Sequence, residues 1–317
     1  MNFNNIEIYG HNKQYNILFN AYNNKFPQSW IFNGEEGLGK SMIARKFIFW
    51  SIARDYYDPK LLEFESLSQD KRDYIKSKFK ACVLDVNNKI EKIDDINSIR
   101  KLIDDVALTN FSDFLNKYII IDNVNSLNLN SKNALLKTIE EPPEKTIIIL
   151  ICHNIKLIPK TILSRCVRLD FNNLNINEFK KYLMANNENL SEEEIKKIYN
   201  FSNGRPGYYQ AIKKLGGLEI LKNVEEIIAK KKLDHLSVKN ISDKLNKDSG
   251  TLFKMIVNFF YFNCLSLIKI TDNREILKNI ILFFEFLQKD GESNLNIDKN
   301  QILTTIFVNY FKLFKSQ

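Results

Sequence analysis

Only four cysteines occur in the chain, at positions 82, 152, 166 and 264, and no two of them are close neighbours. That spacing rules out a C-x-x-C redox motif and argues against a cysteine zinc site. Scattered cysteines fit a reducing compartment, so a cytoplasmic location is expected. Prolines are six, the last being Pro206, so beyond it no proline breaks a helix. The opening "MNFNNIEIYGHNKQ" lacks a basic start followed by an apolar segment, so no signal peptide is expected. Apolar stretches near the C-terminus are broken by Lys, Asn and Asp before the ~18 residues of a membrane span, and no membrane partner is expected. Internal repeats and long low-complexity tracts are also missing. Basic residues outnumber acidic ones, 46 to 38, for a net charge of +8 and an isoelectric point near 9.0. The longest basic run, Lys230 to Lys232, follows acidic "VEE". It reads as a solvated helix face rather than a binding stripe. The surplus permits nucleic-acid contact without showing it.

What is present is enough apolar material, 44% of 317 residues, for two or three domains. In the first half, apolar runs alternate with helical patterns. "YNILFNAYNN" reads as a helix, "WIFN" as a strand, and "MIARKFIFWSIA" as a helix. "CVLDV", "KYIIID", "KTIIILIC" and "VRLDF" read as further strands. Ile96, Ile99, Ile103 and Val106 share one helical face. "SKNALLKTIEE" is a helix with Ser131 as its expected N-cap, closed by Pro142 and Pro143. "LIPKTIL" is a further expected helix, and the charged segment 59–80 reads as a peripheral insertion. Continuous apolar strands separated by helices imply a parallel sheet covered on both faces. After Phe171 strands cease. Three short helices follow, the second capped by Ser191. Phe253, Ile256, Val257, Phe260, Cys264 and Leu267 mark one later helical face, and Leu303, Ile306, Phe307, Tyr310 and Phe314 another. Aromatic stripes of this kind are packing surfaces.

The chemistry concentrates in "NGEEGLGKS", between a strand and a helix. Gly34, Gly39, Lys40 and Ser41 fit the spacing G-x-x-x-x-G-K-[ST]. Glycines allow the tight turn, and the helix N-terminus favours phosphate. Lys40 would reach the β- and γ-phosphates, and Ser41 would offer its hydroxyl to Mg²⁺. A glycine turn with a surface lysine is the plainer alternative, but the flanking elements suit the phosphate loop. Asp122, at the tip of "YIIID", is placed to hold the Mg²⁺ shell. ATPases of this kind carry a second acid next, and here that position is Asn123. Losing a general base costs roughly 10²–10⁴-fold in rate. Glu140 and Glu141 close a helix and are poor substitutes.

Together, "GHNKQYNILFNAYNNKFPQSWIFNGEEGLGKS", "NALLKTIEEPP" and "ILSRC" resemble the bacterial clamp-loader subunits of DNA polymerase III, the delta-prime type most closely. The resemblance runs from about Tyr9 to Phe171. It implies an AAA+ fold: an α/β P-loop domain over 1–171, a helical lid over 172–215, and an all-α collar over 216–317. It implies ATP or ADP with Mg²⁺, gamma/tau and delta subunits as partners, and a sliding clamp loaded onto primed DNA. By resemblance, Gly34, Gly37, Gly39, Lys40 and Ser41 match the Walker A loop, and Asp122 the Walker B acid. His153 falls at the sensor position, and Gly10 and His11 near the adenine edge. Arg165 matches an arginine finger acting on a neighbouring subunit's ATP. Taken alone, Arg165 could equally pair with a local carboxylate. Three departures set the chain apart from the gamma/tau ATPases: Asn123, Gly207 in place of a lid arginine with Arg205 two positions early, and no zinc-binding cysteines in segment 59–80. An active gamma/tau-type or replication-factor-type ATPase is the alternative, and whether the chain is itself an enzyme stays open. An unrelated P-loop kinase or ATPase would leave "NALLKTIEEPP" and "SRC" without explanation.

Overall fold

The computed structural model describes residues 9–24, 26–56, 67–85, 116–186, 188, 190–230, 235–246, 248, 250–293 and 298–314. They fall into two compact units, Met1–Glu178 and Phe179–Gln317. The expected helical face at Ile96, Ile99, Ile103 and Val106 lies outside the described residues.

In the first unit all five expected strands form: β1 (Ser29–Asn33), β2 (Val83–Asp85), β3 (Lys117–Asp122), β4 (Thr146–Cys152) and β5 (Val167–Asp170). They build one parallel sheet in the order β2-β3-β4-β1-β5. Alternate side chains serve opposite faces, because the strand repeat is two residues. Trp30, Phe32, Tyr118, Ile120, Ile149 and Ile151 pack with α1 (Asn12–Asn23), α2 (Lys40–Tyr56) and α3 (Gln69–Cys82). Ile31, Ile119, Ile121, Ile148 and Leu150 pack with Leu135 and Ile139 of α4 (Leu129–Glu140) and Ile162 of α5 (Lys160–Leu163). Every residue of β4 is buried, which explains its unbroken apolar run.

Three local expectations need correction. Ser131 does not cap α4. The helix begins two residues earlier, Asn128 accepts from the Ser131 N–H at 2.8 Å, and Ser131 is itself buried. "LIPKTIL" is not one helix: Pro159 separates a 3₁₀ turn at Ile155–Leu157 from the short α5. A residue before proline is pushed out of the helical region, so the break falls there. Segment 59–80 is not wholly peripheral. Its described part includes most of α3, where Ile75 is buried and Phe79 stacks on Phe49 with ring centroids 4.1 Å apart.

In the second unit, α6 (Ile176–Ala185, which straddles the division), α7 (Glu192–Ser202) and α8 (Pro206–Lys214) cluster around Phe179, Tyr199 and Tyr209. Ser191 caps α7 as expected, in a full capping box with Glu194. The remaining helices are α9 (Gly217–Lys230), α10 (His235–Leu245), α11 (Thr251–Ile268), α12 (Arg274–Ser293) and α13 (Lys299–Lys312). Among the described residues α11 alone is long and apolar enough to cross a membrane. Its Phe260 is fully buried among Phe283, Phe307 and Tyr310. Phe314, expected on the apolar face of α13, is exposed.

Candidate nucleotide site

The loop between β1 and α2 has the backbone a phosphate cradle needs. Gly34, Gly37 and Gly39 have φ of 152°, 86° and 83°, where an L side chain is strained. At Gly34 a Cβ would also stand 2.4 Å from the Phe171 carbonyl oxygen. The β1 strand feeds the loop in and α2 starts at Lys40, so the free first-turn N–H groups of the helix face the loop. A P-loop nucleotide therefore fits the residues present.

Lys40 is 3% exposed and turned back into the loop. Its Nζ donates to the carbonyls of Gly34 and Glu35, each at 2.6 Å. Burial pushes its pKa down to about 8, against the pull of the Asp122 carboxylate. Ser41 points its hydroxyl at Arg45, whose Nη1 donates to it at 2.5 Å. Asp122 closes β3, and His153 follows β4 with its Nε2 4.0 Å from Asp122 Oδ1. Burial and the Lys40 charge lower the His153 pKa, so the contact at neutral pH is polar rather than ionic. His11 lies behind the loop, its ring 5.1 Å from that of Phe171. Its Nε2 is buried without a partner among the described residues. Gly10 precedes it at φ 67°, against Leu174 and Glu178. Lys40, Asp122 and His153 thus meet at the carboxyl ends of the strands, with His11 behind, where open α/β sheets bind ligands.

Sequence reasoning missed Asn125. Its Oδ1 accepts from the N–H groups of His153 at 2.7 Å and Asn154 at 3.1 Å, and its Nδ2 donates to the Asn154 carbonyl at 2.7 Å. This side chain ties the end of β3 to the end of β4 and fixes His153 against Asp122. Nothing in its sequence spacing announces a contact across 28 positions.

Arg165 is elsewhere. It follows α5 and stands two residues before β5, whereas the phosphate loop lies at the strands' other end. A four-residue parallel strand spans roughly 13 Å, so the two lie at opposite ends of the adjacent strands β1 and β5. Arg165 is exposed, and its Nη2 meets Glu140 Oε1 at 2.8 Å. The local carboxylate partner considered from sequence does exist.

A family model described as "DNA polymerase III, delta subunit" matches residues 10–175, more than half the chain. The chain belongs to that family. Similar curated proteins include DNA polymerase III subunit gamma of Buchnera aphidicola subsp. Schizaphis graminum, 32% identical over 57% of this chain and 49% of its own length. Subunit tau of Bacillus subtilis is 34% identical over 46% of this chain and 25% of its own length. The chain spans no more than about half the length of these relatives. A gamma subunit-related protein of DNA polymerase III from Thermotoga maritima is a similar solved structure. It has a TM-score of 0.48 at 17% identity, covering 94% of this chain and 99% of that one.

As a DNA polymerase III subunit of the clamp-loader type, the chain keeps its phosphate loop but has no acid after Asp122. Asn123 serves the backbone instead. Its Oδ1 accepts from the Asn125 N–H at 2.9 Å and caps the 3₁₀ turn Val124–Ser126. In the second unit, Arg205 caps its own neighbourhood: Nε donates to the Ser202 carbonyl, and the guanidinium lies 4.2 Å over the Tyr208 ring.

Proposed function

We propose that this chain is the delta-prime-type subunit of a DNA polymerase III clamp loader. It joins gamma/tau and delta subunits, helps load a sliding clamp onto primed DNA in the cytoplasm, and contributes to the polymerase holoenzyme. Residues 1–171, 172–215 and 216–317 serve as AAA+ domain, lid and collar. Gly34, Gly37, Gly39 and Lys40 hold ATP or ADP, with Gly10, His11 and His153 at its edges, and Ser41 and Asp122 face Mg²⁺. The nucleotide supplies the phosphate charge these groups hold, and the chain turns it over weakly for want of a base. Arg165 acts as a finger on the neighbouring subunit's ATP.

The observation that carries this reading is the position of Arg165 at the end of the strands opposite its own phosphate loop. A guanidinium there serves a neighbour better than its own site. Being planar and permanently charged, it can grip two phosphate oxygens at once. The test is DNA-stimulated phosphate release from the reconstituted complex. Arg165→Ala is expected to lower turnover by about 10³-fold or more, the scale of such fingers. Wild-type turnover in an intact complex would leave the chain as scaffold.

A gamma/tau-type ATPase is the second reading, favoured by the names of the similar curated proteins. ATP turnover by the purified chain at the rate of an ordinary AAA+ enzyme would select it.

A further inference from the structure

We propose that Glu140 is the positioning residue of Arg165, holding the guanidinium at the subunit edge in the orientation it needs. This rests on the finger reading above. Arg165 is a long, exposed side chain on a short connection, and left alone it would sample many rotamers. Three acceptors restrain it. Nη1 donates to the Thr161 carbonyl at 3.0 Å and to Ser164 Oγ at 3.3 Å, and Nη2 meets Glu140 Oε1 at 2.8 Å. Thr161 and Ser164 belong to α5 and its cap, while Glu140 closes α4. Both anchors are rigid, since the adjoining Ile139 and Ile162 are buried in one cluster. Arg165 Nε makes no hydrogen bond among the described residues, so the fork keeps a donor for a phosphate oxygen.

The location of Glu140 supports a purpose beyond the helix. An acid in the last turn meets the negative end of the helix dipole and disfavours the helix. Glu140 is the last residue of α4, and Glu141 is its C-cap. The pairing with Arg165 compensates that position for Glu140. Glu141, equally acidic and exposed, supplies a neighbouring control.

The experiment uses the reconstituted clamp loader with DNA-stimulated phosphate release, after checking assembly by size. Glu140→Gln removes the charge and keeps the shape. It is expected to lower kcat about two- to fivefold, the population shift an exposed ion pair sustains, with KM for ATP unchanged. Glu140→Asp keeps the charge one methylene short and should recover part of the loss. Glu141→Gln should behave as wild type. Placed in the Arg165→Ala background, Glu140→Gln should change nothing further. Wild-type or faster turnover in Glu140→Gln overturns the inference, as does an equal loss in the Arg165→Ala background. Full turnover in Arg165→Ala alone would instead overturn the finger reading beneath it.

Discussion

Lys40 offers a test in which pH is the perturbation. Its ammonium is buried in the loop, and its pKa is depressed from 10.5 to about 8. A bound phosphate group would favour the charged form and raise that pKa again. Binding above pH 8 therefore requires uptake of a proton, and affinity must fall as pH rises. With a pKa near 8, the protonated fraction drops from about 0.9 at pH 7 to about 0.1 at pH 9, so affinity should weaken about tenfold. With an ordinary lysine pKa the same interval would change affinity hardly at all. The terminal phosphate titrates near pH 6, below this window. The assay is titration with a fluorescent ADP analogue at half-unit steps of pH. Lys40→Met should bind more weakly at pH 7, by the roughly 1.5–3 kcal/mol of a charge-assisted hydrogen bond, and its pH profile should be flat. A flat wild-type profile to pH 9, or the same decline in Lys40→Met, would refute the argument. Stability of the unliganded protein carries the opposite sign. Between pH 8 and 10.5 the unfolded chain binds more protons than the folded one, so stability should rise with pH across that window.

Asn123→Glu should raise single-turnover hydrolysis by the isolated chain only slightly, because the side chain that caps Val124–Ser126 is lost and no neighbouring finger is present. Full AAA+ turnover there would contradict this. Arg165→Lys should restore little of the complex's turnover, measured by phosphate release, because a point charge lacks the planar fork. Gly34→Ala should abolish nucleotide binding by forcing the loop away from the Phe171 carbonyl, with an unaltered binding isotherm as the contrary result. Phe260→Ala should destabilise the helical unit by about 3–5 kcal/mol in urea unfolding, since it empties a fully buried aromatic cluster.

Features set by neighbours along the chain were legible from residue order alone. Apolar runs made β1, β3 and β4 legible, since a strand covered on both faces needs apolar residues on both. Glycine spacing gave the phosphate loop, because only glycine tolerates those φ angles. The Ser191 capping box is likewise a three-residue relation. Tertiary structure decided what depends on distant segments meeting. Asn125 reaches His153 because β3 and β4 are adjacent in the sheet. Glu140 reaches Arg165 because α4 and α5 share one apolar cluster. The charged surface of α3 hid its buried Ile75 and Phe79, since mean polarity does not reveal which face packs. Even the α4 cap went to Asn128 over Ser131, two residue types of nearly equal capping preference, once packing had set where the helix begins.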